Sequence, residues 1–259
     1  MKREEFFASY LYLIFFFLLL LVPQKHVKSS ITHADILAHI IGFFLFYFVL
    51  NRGLGIKRSF SLCITLLVSL FTESVQYFIP WRDFSLIDLL SDIIGTSAGF
   101  LLSMKKGLLE DIISTFGFIG YIKIGPGTIA SFITTLFIWL VRPSFMFILE
   151  GLVLILFSGI LSSSLFAKKS MSNDPKEVVI DEVSGVLTAF LFLKQVKPLG
   201  LLLAFVFFRL YDIIKPFGIK KVEKIPGGSG IMLDDEVAGI YAGFSTVLLM
   251  FFLKKGGIL

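Results

Sequence analysis

Apolar residues gather in long runs separated by short charged stretches. Runs at about 6–22, 36–50, 59–79, 85–103, 128–141, 145–165, 182–193, 198–214 and 237–253 predict helices. A helix that spans a bilayer needs about 20 mostly apolar residues. Most runs reach or approach that length; 182–193 and 198–214 fall short and read as partial or re-entrant segments. The first run, behind Lys2 and Arg3, resembles a signal peptide. It is followed by Pro23, Gln24, Lys25 and His26 and not by a small-x-small cleavage site, so it reads as a retained first span. The predicted fold class is therefore all-α, a polytopic integral membrane protein.

Composition supports this reading. Of 259 residues 56% are hydrophobic and 17% charged, with 31 phenylalanines, against about 25% charged residues in soluble domains. The lone cysteine, Cys63, lies inside an apolar run, where it can form no internal disulfide and no metal-ligand cluster. The net charge of +5 resides in loop lysines and arginines. In such a chain it points to orientation and lipid headgroups, not to nucleic acid.

The positive-inside rule places the N-terminus in the cytoplasm. Segments 1–5, 51–58, 104–127, 166–181 and 215–236 then face inward and carry most of the lysine and arginine. The charged join at 105–111 divides the chain into residues 1–105, with about four spans, and residues 109–259, with five apolar runs broken by polar loops.

Four polar stretches of the second part share the inward side: Gly120 to Ser131, Asp174 to Gly185, Phe207 to Pro216 and Gly227 to Phe244. Asp181 and Glu182 open one apolar helix, and Asp234 and Asp235 are expected to open another. Each pair alone fits helix capping, because the helix dipole favours acid in the first turn. Asp212 does not fit, since it lies at the far end of its run, flanked at three-residue spacing by Arg209 and Lys215. Five carboxylates on one side with basic residues among them read as a hard-metal site. Mg²⁺ takes carboxylates, water and phosphate oxygens. Arg209 and Lys215 would hold phosphate. "GPGT", Gly125 to Thr128, and "GGSG", Gly227 to Gly230, offer backbone N–H groups to an anion, through Gly125, Gly127, Thr128, Gly228 and Gly230. Loop punctuation is the plainer alternative.

"IGPGTIAS", "VVIDEVSG", "FRLYDIIKP" and "GGSGIMLDDEVAG" resemble, in order and spacing, the motifs of the phosphatidylglycerophosphatase A family over about residues 113–253. The resemblance implies a bacterial Mg²⁺-dependent lipid phosphatase with an all-helical domain. It would convert phosphatidylglycerophosphate, a membrane phospholipid, to phosphatidylglycerol at the cytoplasmic membrane. The implied metal ligands are Asp181, Glu182, Asp212, Asp234 and Asp235. Arg209, Asp212, Lys215 and Glu182 would be catalytic. One departure is Phe217-Gly218-Ile219, where the family often has Trp-Pro-Ile.

The first part carries its own polar seam. Glu73 and Gln76 share a helix face, as do Asp88, Asp92, Gly95 and Gly99. Gly95-x-x-x-Gly99 is a small-residue packing seam. Arg82 is placed to pair with Glu73 or Asp88, and Asp35 and His39 lie one turn apart. This pattern resembles the VanZ-like family over roughly residues 10–103, with Asp92 where that family more often has Asn. A rival reading of the whole chain is an ion-coupled transporter or channel, since intramembrane carboxylates also mark transport paths. The one-sided acidic cluster and the lack of an inverted repeat weigh against it. Oligomeric state is not legible in the sequence.

Overall fold

The computed structural model describes residues 3–20, 32–76, 78, 85–193, 197–216 and 218–256. Two compact units divide the chain, Met1–Leu109 and Glu110–Leu259. Among the described residues all regular structure is helical.

The first unit holds α1 (Arg3–Leu20), α2 (Thr32–Phe48), α3 (Arg58–Gln76) and α4 (Leu86–Ser103), with a π-helical turn over Val49–Gly53. Its polarity is reversed relative to a soluble bundle. α3 buries Ser61, Thr65, Ser69, Thr72, Glu73 and Gln76, while Leu67, Leu70 and Phe71 face outward. α4 buries Ser91, Asp92, Gly95, Thr96, Gly99 and Ser103 and exposes Leu86, Ile87, Leu90 and Ile94. Lipid makes apolar burial worthless as a driving force, so small and hydrogen-bonding residues line the contact instead. Two glycines fix the α2–α4 approach. A Cβ at Gly95 would stand 2.1 Å from the Ile40 carbonyl oxygen, and one at Gly99 would stand 2.8 Å from the Tyr47 ring. Tyr47 and Ser103 hydroxyls then meet at 2.9 Å. Arg82 lies outside the described residues, as does the side chain of Asp35. Glu73 accepts the Ser85 N–H at 3.2 Å.

The second unit contains most of α5 (Leu108–Ser114), then α6 (Pro126–Val141), α7 (Phe145–Ser170), α8 (Ile180–Leu191), α9 (Pro198–Ile214), α10 (Ile219–Val222) and α11 (Gly228–Lys255). Pro126 and Pro198 occupy first-turn positions, where the missing N–H costs nothing. α8 and α11 cross at glycine: a Cβ at Gly239 would stand 2.2 Å from the Gly185 carbonyl oxygen, and one at Gly243 2.4 Å from Phe192.

Among the described residues five helical stretches are long and apolar enough to cross a bilayer: Ile36–Gly53, Arg58–Gln76, Leu86–Ser103, Phe145–Ser170 and Gly228–Lys255. The short runs give α8, 12 residues, and α9, 17 residues. One expectation is corrected. The last helix does not begin at the end of "LDDE" but at Gly228, so Asp234, Asp235 and Glu236 lie in its second and third turns. The GGSG stretch is helical because its glycines meet neighbouring backbone: a Cβ at Gly228 would stand 1.9 Å from the Ile160 carbonyl oxygen, and one at Gly230 1.9 Å from that of Ile225.

The glycine contacts give a direct test. Gly95→Ala forces the α2–α4 backbones apart and should cost about 1–3 kcal/mol, as overpacking does. Gly42→Ala, which meets only Phe16 at 3.7 Å, should leave thermal melting in detergent near that of the parent. Equal melting of the two variants would contradict the close approach.

Candidate functional site

Four segments of the second unit meet around a cavity of about 850 Å³. Its wall includes Gly125 and Gly127, Asp181 and Glu182, Arg209, Asp212 and Lys215, and Asp234 and Asp235. Of the residues predicted from sequence, Thr128, Gly228 and Gly230 do not line it. Gly228 and Gly230 are instead helix-packing positions, and Gly227 takes their place at the wall, in the left-handed region at φ 85°.

Each element has a local reason to point its polar group inward. Asp181 and Glu182 fall in the first turn of α8, where the dipole favours acid. Asp234 and Asp235 cannot be explained that way, because the dipole acts within the first turn and they stand beyond it. Their register with α8 explains their position. Gly185 follows Asp181 by four residues, and Gly239 follows Asp235 by four. The glycine crossing therefore sets these two carboxylates one turn away on the same sides of the two helices. Ligand oxygens of Asp181, Glu182 and Asp235 lie within 4.8 Å of one another.

α6 closes the set from another direction. Gly125 turns the chain at φ 55° ahead of Pro126, and Gly127 backs directly onto Glu182: a Cβ there would stand 1.8 Å from Glu182 Oε1. No larger residue leaves that carboxylate where it is.

Two cations border the acids. Arg209 Nη1 reaches Asp212 Oδ2 at 2.9 Å, across one turn of α9, and Glu182 Oε1 at 4.0 Å. Lys215 Nζ donates to Asp234 Oδ2 at 2.7 Å and lies 3.3 Å from Glu223 Oε1. Lys215 ends α9 in the left-handed region at φ 47°, a conformation that costs a non-glycine residue about 1–3 kcal/mol and persists where surrounding contacts fix it. Burial works to lower the Lys215 ammonium, but the hydrogen bond and charge of Asp234, with those of Glu223, outweigh it and raise its pKa. Asp181 moves upward as well: burial raises its carboxyl well above the usual range, and the charges of Glu182, Asp235 and Asp234 push the same way.

This donor set fits a hard divalent cation. It is all oxygen, it is crowded with like charge, and Glu182 Oε2 is buried without a hydrogen-bond partner among the described residues. Arg209 Nε is likewise buried and without a hydrogen-bond partner among them. Paired acids and free donor capacity in one cavity suit a cation and an anion held together.

Several wall residues escaped the sequence reading: Asp174, Lys176, Lys220, Glu223 and Lys224. The signal for three of them was the "KKVEK" run, which reads as an ordinary solvated charge cluster. Glu236, adjacent to the aspartates, turns away from the cavity and accepts the Thr188 hydroxyl.

Comparison with known proteins gives a consistent picture. Over 92 residues the chain is 37% identical to a Bacteroides thetaiotaomicron protein that carries the provisional name phosphatidylinositol-3-phosphatase, covering 35% of this chain and 57% of that protein. Over 71 residues it is 41% identical to phosphatidylglycerophosphatase A of Haemophilus influenzae, covering 27% of this chain and 44% of that protein. The chain thus spans about half the length of the curated relatives it matches. No solved structure matches it. Residues 112–250 match the phosphatidylglycerophosphatase A family, and this span contains all four polar stretches that meet at the cavity. A match over more than half of the chain, carried through each of those stretches, makes the protein a member of the phosphatidylglycerophosphatase A family.

Proposed function

We propose that the second unit is a Mg²⁺-dependent lipid phosphatase that removes the terminal phosphate of phosphatidylglycerophosphate. The observation that carries this reading is the clustering of Asp181, Glu182 and Asp235 within 4.8 Å, in one cavity with Arg209 and Lys215. Membership in the family and the names of both relatives support a phosphorylated lipid as substrate.

Asp181, Glu182 and Asp235 would hold the cation, with Asp212 and Asp234 beside them. When bound, Mg²⁺ would supply polarisation of the phosphoryl group and a more acidic water. Arg209 offers its unpaired Nε to a phosphate oxygen, and its ion pair with Asp212 helps to position the guanidinium. Lys215, held cationic by Asp234 and Glu223, neutralises charge that gathers on the phosphoryl oxygens. A carboxylate of the cluster accepts the proton of the attacking water. Gly125 and Gly227 bring backbone to the rim.

The first unit, on the strength of its Phe71–Gly99 seam, we read as a VanZ-like membrane domain. The lysine and arginine asymmetry supports a cavity that faces the cytoplasm, and we read the membrane as a bacterial inner membrane.

The decisive assay is phosphate release from phosphatidylglycerophosphate in mixed micelles. Mg²⁺ should be required, and chelation should abolish release. Asp181→Asn and Asp235→Asn should each lower turnover by at least about a hundredfold, the scale of losing a charge-stabilising group, while melting like the parent. Glu236→Gln should keep most activity, since Glu236 faces Thr188. Full turnover in both aspartate variants would remove the cluster from the chemistry.

Sidedness has a separate test. In a Cys63→Ser background, Asn173→Cys should resist a membrane-impermeant thiol reagent in intact cells and react after permeabilisation. Prompt labelling of intact cells would place the cavity on the outer side.

A further inference from the structure

The polar seam of the first unit holds a second set of donor groups that the phosphatase reading does not use. His39 on α2, Glu73 on α3 and Asp92 on α4 each present one ligand atom, and the three atoms lie within 4.8 Å of one another. Glu73 and Asp92 are wholly buried, and His39 is 15% exposed. His39 Nδ1 and Asp92 Oδ1 share a proton at 2.8 Å. The Ser69 hydroxyl donates to the other Asp92 oxygen at 2.8 Å. Asp88 Oδ2 lies 4.0 Å from His39 Nε2.

A hydrogen-bonded seam between helices accounts for the His39, Ser69 and Asp92 contacts. It does not account for Glu73. One Glu73 oxygen accepts the Ser85 N–H. The other, Oε1, is buried and has no hydrogen-bond partner among the described residues. A sealed, unpaired carboxylate oxygen is costly. The described ion pairs of His39 bring in only acids, Asp88 and Asp92. Among the described residues the set therefore carries more acid than base, and one of its buried carboxylate oxygens has no hydrogen-bond partner.

We propose that His39, Glu73 and Asp92 form a binding site for a divalent transition-metal cation of the zinc type, separate from the carboxylate cavity of the second unit. One imidazole nitrogen and two carboxylates make a three-ligand set of the kind that leaves a coordination position open. The imidazole selects against Mg²⁺, which takes oxygen donors, and for zinc-like ions. Ser69 and Asp88 fill the orienting role that such ligands need, on the second oxygen of Asp92 and beside the second nitrogen of His39. Binding replaces the proton shared by His39 and Asp92, which leaves to solvent past the exposed edge of the ring. Glu73, whose Oε1 has no hydrogen-bond partner among the described residues, supplies the second carboxylate.

The full-length chain in detergent, equilibrated with zinc chloride in excess Mg²⁺ to occupy the all-oxygen cavity, tests this by metal analysis and thermal melting. The parent should retain one zinc per chain and melt higher with it. His39→Gln and Glu73→Gln should weaken zinc binding by about ten- to a hundredfold or more, whereas Asp235→Asn should bind zinc like the parent. Co²⁺ added in place of zinc should give the intense visible bands of a low-coordinate site in the parent and lose them in His39→Gln. A parent that retains no zinc overturns the proposal, and so do His39→Gln and Glu73→Gln variants that retain it unchanged. If those variants do not fold, the Co²⁺ spectrum of the parent decides: only the weak bands of an all-oxygen octahedral site would refute a histidine ligand.

Discussion

The close crossing of α8 and α11 at Gly185 and Gly239 governs the second unit. Four residues before each glycine stands a carboxylate, Asp181 on one helix and Asp235 on the other. The helices can approach this far only without side chains at the crossing, and only that approach brings the carboxylates within one cation's reach. Bringing them together is unfavourable. Two like charges about 4 Å apart repel by about 4 kcal/mol at the effective dielectric of a protein surface. Arg209 and Lys215 stand beside the cluster, paired with Asp212 and Asp234. Burial first, and then the neighbouring acids, hold the Asp181 carboxyl well above its usual range. The backbone contact beneath holds the acids in place, already gathered for the cation proposed to bind there.

The two units solve one physical problem by the same means. Lipid offers no reward for burying leucine, so association depends on close backbone contact and on polar groups that satisfy each other. In the first unit the device is Gly95 against Ile40, with serines and threonines along α3. In the second it is Gly185 against Gly239 and Gly228 against Ile160. In both, the tight contact lies beside acidic residues, and the outward faces are left to phenylalanine, leucine and isoleucine.

Much of this was legible in the sequence, because apolar run length and motif order survive without coordinates. Asp181, Glu182, Arg209, Asp212, Lys215, Asp234 and Asp235 stand out in the sequence by charge and spacing, and all line the cavity. The start of α11 was not legible. "GGSG" carries the signature of a loop, and only contacts with Ile160 and Ile225 make it helical. Glu223 was hidden in a basic run, and its partner Lys215 is recognisable only after the left-handed turn at the end of α9 has folded the chain back. The His39–Asp92 pair joins two helices 53 residues apart; periodicity places each on a face but does not say which faces meet.

α11 is continuous from Gly228 to Lys255, and this makes it a measuring rod. From Asp235 to Lys255 the helix advances 20 residues, about 30 Å at 1.5 Å per residue, which is about the hydrocarbon thickness of a bilayer. Lys254 and Lys255 stand at one end of that length and the aspartates at the other. A thinner or thicker bilayer would tilt the rod or sink the acids. Bilayer thickness would thereby bear on how near the interface the acids of the cavity stand.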